Sequence, residues 1–145
     1  MPSTIRPELE IVAPLRLVLL RLARRIRQQA ADGLTPSRMS ALSTIQRHGP
    51  IRLGELGERE RIGKSSVTRL AAGLEQAGHI RRVVDPADGR SSLIDLTAQG
   101  MDLLAQSNAR ADAFLARQVA ALPAEDLEQI ADTLPILERL LDVKA

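Results

Sequence analysis

The sequence predicts a mainly α-helical fold with one small β-ribbon, and three observations lead there. Apolar residues recur at helical spacing along most of the 145 residues. Gly and Pro cut that pattern into segments of ordinary helix length. The exception lies between residues 80 and 96. There two short β-prone runs, Ile80 to Val84 and Ser91 to Leu96, flank the turn-rich stretch Asp85-Pro-Ala-Asp-Gly-Arg90.

Pro14 suits the first turn of a helix running to about Ala31, with Leu15, Val18, Leu19, Leu22 and Ile26 as its apolar stripe and Gly33 as its stop. Thr35-Pro36 starts a second helix through Met39, Leu42 and Ile45, which ends at Gly49-Pro50. A short third helix covers about Leu53 to Glu60, and a fourth runs from Lys64 to Ala77, closed by Gly78. After the ribbon, Thr97 caps a long helix carrying Met101, Leu104, Ala111, Leu115 and Val119 on one side. Leu122-Pro123 breaks it. A last helix follows through Leu127, Ile130, Leu134, Leu137 and Leu141, which Pro135 should kink or shorten. No repeat or long linker divides the chain, so residues 1–145 read as a single domain.

Composition limits the function. With no Cys, disulfides and thiol chemistry are excluded. Two histidines, His48 and His79, cannot alone build a conventional zinc site, and they read as a helix-end residue and a strand-entry packing residue. No Gly-x-Ser-x-Gly elbow, phosphate loop or metal-ligand spacing occurs, so neither an enzyme nor a cofactor is expected. Apolar runs are cut by Arg far short of a membrane span, and the N-terminus lacks an apolar secretion core, which points to a cytoplasmic protein with no membrane partner. The net charge is only +2, yet it is segregated. Residues 61 to 92 carry six Lys/Arg against three acids, whereas residues 101 to 145 carry four against eight.

The third and fourth helices, joined by Arg61-Ile62-Gly63, have the spacing of a helix-turn-helix. Burying Val67, Leu70, Ala71 and Leu74 turns Ser65, Arg69, Ala72 and Gln76 outward, with Ser66 and Thr68 on the flanks and Lys64 at the start. That face is small, polar and basic. Arg69 could fork onto a guanine and Gln76 pair with an adenine, while hydroxyls and the helix N-terminus hold phosphates. Taken alone, the same face reads first as the solvated side of an amphipathic helix, since polar outer faces are ordinary. The ribbon adds Arg81 and Arg82 on its first strand and Arg90 at its tip, cations that a narrow ribbon could carry into a minor groove. Asp88 would be repelled by phosphate, so its expected work is internal, orienting Arg90 or satisfying amides of the turn. Alone, this too is an ordinary hairpin tip.

Together these motifs resemble the MarR (multiple antibiotic resistance regulator) family of winged-helix transcriptional regulators. The resemblance rests on Asp88-Gly-Arg90 followed by Leu96-Thr97, on Gly63-Lys-Ser-Ser-Val-Thr-Arg-Leu70 with Leu74-Glu-Gln-Ala-Gly-His-Ile80, and on His48-Gly-Pro50 before Leu53 and Leu56. It implies a winged helix-turn-helix over residues 35–96, flanked by dimerisation helices at 8–31 and 97–145. It also implies a homodimer placing two recognition helices in successive major grooves of a pseudo-palindromic operator, about 34–36 Å apart. Double-stranded DNA and a second copy of the chain are then the partners. The expected DNA contacts are Lys64, Ser65, Ser66, Thr68, Arg69, Gln76, Arg82 and Arg90, with Asp88 as wing organiser. The family typically represses and releases DNA when a small molecule enters a crevice between dimer and DNA regions; no effector-binding residue is identifiable here. The chain departs from the family at Gly63, where a Ser/Thr cap is usual, at Ala72-Gly73, where a charged pair is frequent, and at Gly89, where a basic residue is frequent. Phe114 is the only aromatic residue, which disfavours an aromatic-lined pocket. The rival reading is a winged-helix module that binds protein without sequence-specific DNA recognition.

Overall fold

A computed structural model describes residues 7–30 and 33–142, and the side chains among them from Leu9 onward. Among these residues the order is α1 (Pro7–Ala30), α2 (Pro36–His48), α3 (Leu53–Glu60), α4 (Lys64–Gln76), β1 (Ile80–Asp85), β2 (Asp88–Leu96), α5 (Ala98–Ala120) and α6 (Ala124–Asp142). Mostly helix with one antiparallel ribbon is the fold class expected from the sequence.

Two helix starts follow the capping rules closely. Thr35 caps α2 through its side-chain oxygen, which accepts from the Arg38 amide at 3.3 Å, and Pro36 occupies the first helical position. Thr97 caps α5 in the same way, accepting from Gly100 N at 3.0 Å. Other boundaries differ. α1 begins at Pro7, seven residues before the expected start, so Pro14 lies inside it. Ala31, its expected end, falls outside the described residues. α6 runs on through Pro135 to Asp142, so that proline does not shorten it. In both helices Pro removes one backbone N–H, a loss the rest of a long helix can outweigh.

The ribbon is longer and its tip tighter than expected. Strand pairing continues to Asp85 opposite Asp88, leaving only Pro86 and Ala87 as the turn. Val84 pairs with Ser92, so Gly89, Arg90 and Ser91 form a bulge in β2. Arg90 therefore projects from that bulge and not from the tip itself. A third backbone segment joins the ribbon through one bridge: Ile51 N donates to Ile94 O at 3.0 Å, and Ile94 N donates back to Ile51 O at 2.7 Å.

The chain separates into two compact units, Met1–Ala111 and Asp112–Ala145, with the boundary inside α5. The core of the first unit joins Ala41, Leu42 and Ile45 of α2, Leu56 of α3, and Val67, Ala71 and Leu74 of α4. Ile51, Ile80, Ile94, Leu96 and Leu104 complete it. α1 contributes little to this core. Leu9, Ile11, Val12, Leu17, Val18, Leu19, Leu20 and Leu22 are all exposed, although α1 is tied at its end, where Ser107 Oγ donates to Ala30 O at 3.0 Å. In the second unit α6 has no buried residue, and Ile130, Leu134, Ile136, Leu140 and Leu141 face solvent. No helix among the described residues is long and apolar enough to cross a membrane.

The exit from α4 is held by backbone contact. Gly78 adopts φ +78°, a left-handed conformation that favours glycine. Its carbonyl accepts from Thr97 Oγ1 at 2.6 Å, and the next carbonyl, of His79, accepts from Thr97 N at 3.1 Å. Gly100 lies so close that a Cβ there would collide with the His79 carbonyl oxygen. Gly100→Ala is therefore expected to force the ribbon away from α5 and cost about 1–3 kcal/mol. Urea unfolding at fixed protein concentration measures this; stability equal to wild type would contradict the close packing.

Candidate nucleic-acid interface

The turn between α3 and α4 aims the second helix. Arg61 closes α3 in the left-handed region at φ +55°, its amide donating to Glu58 O and Gly57 O. Ile62 N then donates to Gly57 O at 3.0 Å, which reverses the chain within three residues. A Cβ on Gly57 would meet Val67 Cγ1 at 3.2 Å, so glycine lets the two helices approach closely. Gly63 starts α4 with no side-chain cap, as its residue type requires. Thr68 Oγ1 turns back onto Lys64 O at 2.8 Å, leaving its oxygen lone pairs as acceptors only.

Val67, Ala71 and Leu74 are buried, which leaves Lys64, Ser65, Ser66, Thr68, Arg69, Ala72 and Gln76 exposed. The predicted α4 residues thus share one accessible surface. At 100° per residue, Ser65, Arg69, Ala72 and Gln76 lie opposite the buried stripe. Gly73 and Ser66 border this face on one side, and Thr68 and Glu75 border it on the other.

The ribbon cations divide into paired and unpaired. Arg82 Nε donates to Glu75 Oε2 at 3.1 Å, tying β1 to the flank of α4, and Arg81 Nη2 reaches Asp95 Oδ2 at 3.2 Å. Arg82 is therefore engaged by α4, unlike the free ribbon cation expected from the sequence. Among the described residues no carboxylate pairs with Lys64, Arg69 or Arg90. Asp88 lies within the turn region. Its Oδ1 accepts from Arg90 N and its Oδ2 from Ser91 Oγ, both at 3.0 Å, so the carboxylate spans the bulge that carries Arg90.

Sequence reasoning missed the residues that hold the ribbon in place. Asp85 is buried, and its Oδ2 accepts from Arg52 Nη2 at 2.8 Å and Nε at 3.2 Å. Its Oδ1 accepts from Ala87 N at 2.9 Å, which closes the tip. Arg52 immediately follows Ile51 of the bridge, so one dipeptide anchors the ribbon at two points. The pattern Pro50-Ile51-Arg52 offered only a weak signal, since Pro50 forbids helix there without naming a partner 33 residues away. Those hydrogen bonds from Arg52 and Ala87 hold the Asp85 carboxyl below its usual range.

A cleft of about 730 Å³ opens between α1 and α2, lined by Arg24, Arg27, Gln28, Leu34, Met39 and Ser43 among others. Its walls combine apolar surface with two guanidinium groups and contain no aromatic side chain.

A helix-turn-helix with an exposed second helix and an adjoining ribbon is the winged-helix architecture of DNA-binding transcriptional regulators. Residues 34–92 match the family model described as MarR family. An HTH-type transcriptional regulator of Mycobacterium bovis is 28% identical over 133 residues, covering 91% of this chain and 93% of that protein. The HTH-type transcriptional repressor MdtR of Bacillus subtilis is 28% identical over 127 residues, covering 84% and 82%. A crystal structure of a transcriptional regulator protein from Pseudomonas aeruginosa superposes with TM-score 0.86 at 30% identity, covering 96% of this chain and 99% of that one. A MarR family protein from Bacillus stearothermophilus shares the fold, with TM-score 0.84 at 22% identity over 97% and 99% of the two chains. The chain belongs to the MarR family and is a transcriptional regulator with a DNA-binding winged-helix fold.

The Asp85 pair makes a pH-dependent contribution. A carboxyl whose folded pKa is lowered stabilises the fold above its unfolded value, about 3.9, and loses that contribution as pH falls through the folded value. Asp85→Asn is accordingly expected to lower stability at pH 7 and to narrow the gap from wild type under acid conditions. Urea unfolding of both proteins between pH 7 and pH 3 reads this directly; a constant gap across that range would remove the carboxylate as its cause.

Proposed function

We propose that this chain acts in the cytoplasm as a homodimeric repressor that recognises a pseudo-palindromic operator. The observation that carries the proposal is the face of α4. Lys64, Ser65, Ser66, Arg69 and Gln76 are exposed together on a helix whose opposite side is locked into the core. In the major groove, Arg69 supplies a bidentate fork for guanine and Gln76 a donor–acceptor pair for adenine. Lys64, Ser65 and Ser66 lie at the start of α4, where hydroxyls, ammonium and free amides suit phosphate, and Thr68 joins them only by turning its hydroxyl away from Lys64 O. Arg90, presented by the bulge that Asp88 organises, reaches the adjacent minor groove. Arg82 either stays with Glu75 as a brace or exchanges that exposed carboxylate for phosphate when DNA arrives. Repression is supported by likeness to a relative named as a repressor.

Two protomers are needed to cover the apolar faces. α1 and α6 expose more large aliphatic side chains than an isolated small protein ordinarily leaves in water. Residues 8–31 and 97–145 therefore serve as the dimerisation segments around a DNA-binding region at 35–96, and pairing about a two-fold axis would present two copies of α4 to successive grooves. The cleft beside Arg24 and Arg27 supports effector release by a compound with an anionic head and an aliphatic or small apolar body. Such a ligand would act by favouring a dimer geometry that no longer matches the groove spacing.

The decisive experiment is titration of the purified protein with duplex DNA from the promoter region of its own gene. Arg69→Ala and Arg90→Ala are each expected to weaken binding by about 1–3 kcal/mol, with base preference relaxed only by Arg69→Ala. Equal binding by all three proteins would refute these contacts. Sedimentation should show a dimer for wild type and both variants; a monomer at every concentration would contradict the assembly. For the cleft, benzoate and octanoate serve as probes. Either should release DNA from wild type at lower concentration than from an Arg24→Ala, Arg27→Ala double variant, and identical release curves would exclude the cleft.

A further inference from the structure

α4 itself is sparsely basic, with Lys64 and Arg69 its only cations. Its second half carries none, and at Gly73 the helix surface is bare backbone. That gap is filled from another element. The guanidinium of Arg38, in the first turn of α2, lies directly over Gly73. A Cβ built there would meet Arg38 Nη2 at 2.7 Å, Cζ at 3.5 Å and Nε at 3.9 Å. Only a residue without a side chain leaves this space open to the Arg38 head group as it stands.

The position has a direct geometric meaning. Gly73 is four residues beyond Arg69, about 6 Å along the helix axis, and 40° from it around the circumference. It also precedes Gln76 by three residues, so it lies beside the two side chains best suited to read bases. Thr35 fixes the first turn of α2 by capping the Arg38 amide, which holds the stem of Arg38 at its root. Among the described residues no carboxylate pairs with the Arg38 guanidinium, in contrast to Arg82 on the opposite flank, which Glu75 neutralises. A guanidinium that no carboxylate pairs, carried by a half-buried residue beside a groove-reading face, is complementary to a backbone phosphate at the groove edge.

Resting on the DNA-binding reading above, we infer that Arg38 is a phosphate-binding residue of the interface, a cation that α2 lends to α4 across Gly73. It supplies charge where the recognition helix has no side chain of its own. Its contact is to the backbone, so it adds affinity and register without base preference.

Salt-dependent binding tests this. Fluorescence anisotropy would follow the full chain binding a promoter-region duplex and a scrambled duplex of equal length over a range of salt concentrations. Arg38→Gln keeps the aliphatic stem and removes the charge. It is expected to weaken both duplexes several-fold to a similar degree and to reduce the slope of log affinity against log salt by about 1 for each protomer engaged. Adding Gly73→Lys to Arg38→Gln restores a cation at the same place and should return the slope toward wild type. Thermal unfolding of each variant provides the control for packing. A wild-type slope in Arg38→Gln would overturn the inference while leaving the DNA-binding reading intact, as would a loss confined to the promoter duplex or an unrestored slope in the double variant. If wild type binds neither duplex, both readings fail together.

Discussion

Everything that faces outward on α4 depends on a contact made behind it. The backbone at Gly78 and His79 passes against the start of α5 with no side chain between, because position 100 is glycine. Thr97 joins the two segments, donating to Gly78 O and accepting from Gly100 N. One threonine thus starts α5 and fastens the end of the recognition helix to it. The next residue, Ile80, opens β1 and is buried in the shared core. Helix exit, ribbon entry and the first turn of α5 are therefore joined at one point of close backbone contact.

The ribbon's far end is secured by different physics. Backbone pairing of Ile51 with Ile94 sets its position, and Arg52 reaching the buried Asp85 sets its angle. A buried carboxylate is costly when unpaired, so Asp85 depends on Arg52 and the Ala87 amide for its place in the fold. Asp85 holds the tip from inside and Asp88 spans the bulge from outside. Two of the ribbon's three acids thus have structural work near its tip, and the ribbon cation left without a carboxylate is Arg90. On the strand, Arg81 and Arg82 are held by Asp95 and Glu75. The modest net charge of the whole chain does not separate guanidinium groups held by a carboxylate from those, such as Arg90, that no carboxylate pairs among the described residues.

The apolar exposure at the two chain ends has the opposite character from that core. Within residues 35–104 large aliphatic side chains are mostly enclosed. Along α1 and α6 they are spread around much of the helix surface, and many of them are exposed.

Local rules in the sequence determined the helix-turn-helix, the ribbon, and both threonine caps. Thr35, Gly49, Gly78 and Thr97 stand where caps and reversals require them. The 3.6-residue period also sorted α4 into inner and outer faces, since that assignment needs only the position of its apolar residues. The extension of α1 ahead of Pro14 and the run of α6 through Pro135 were less legible, because the cost of an internal proline is settled against the length and packing of the whole helix. The turn contacts of Asp88 are local, since its partners Arg90 N and Ser91 Oγ follow within three residues. Tertiary structure decided the other charges: nothing local distinguishes Arg82 from Arg90, or shows that Asp85 meets Arg52. Their partners lie on other elements, and pairing is a matter of distance in space. The same holds for Gly73, which appeared in the sequence as a missing contact. Only the fold, by laying α2 across α4, shows that its bareness is what admits Arg38.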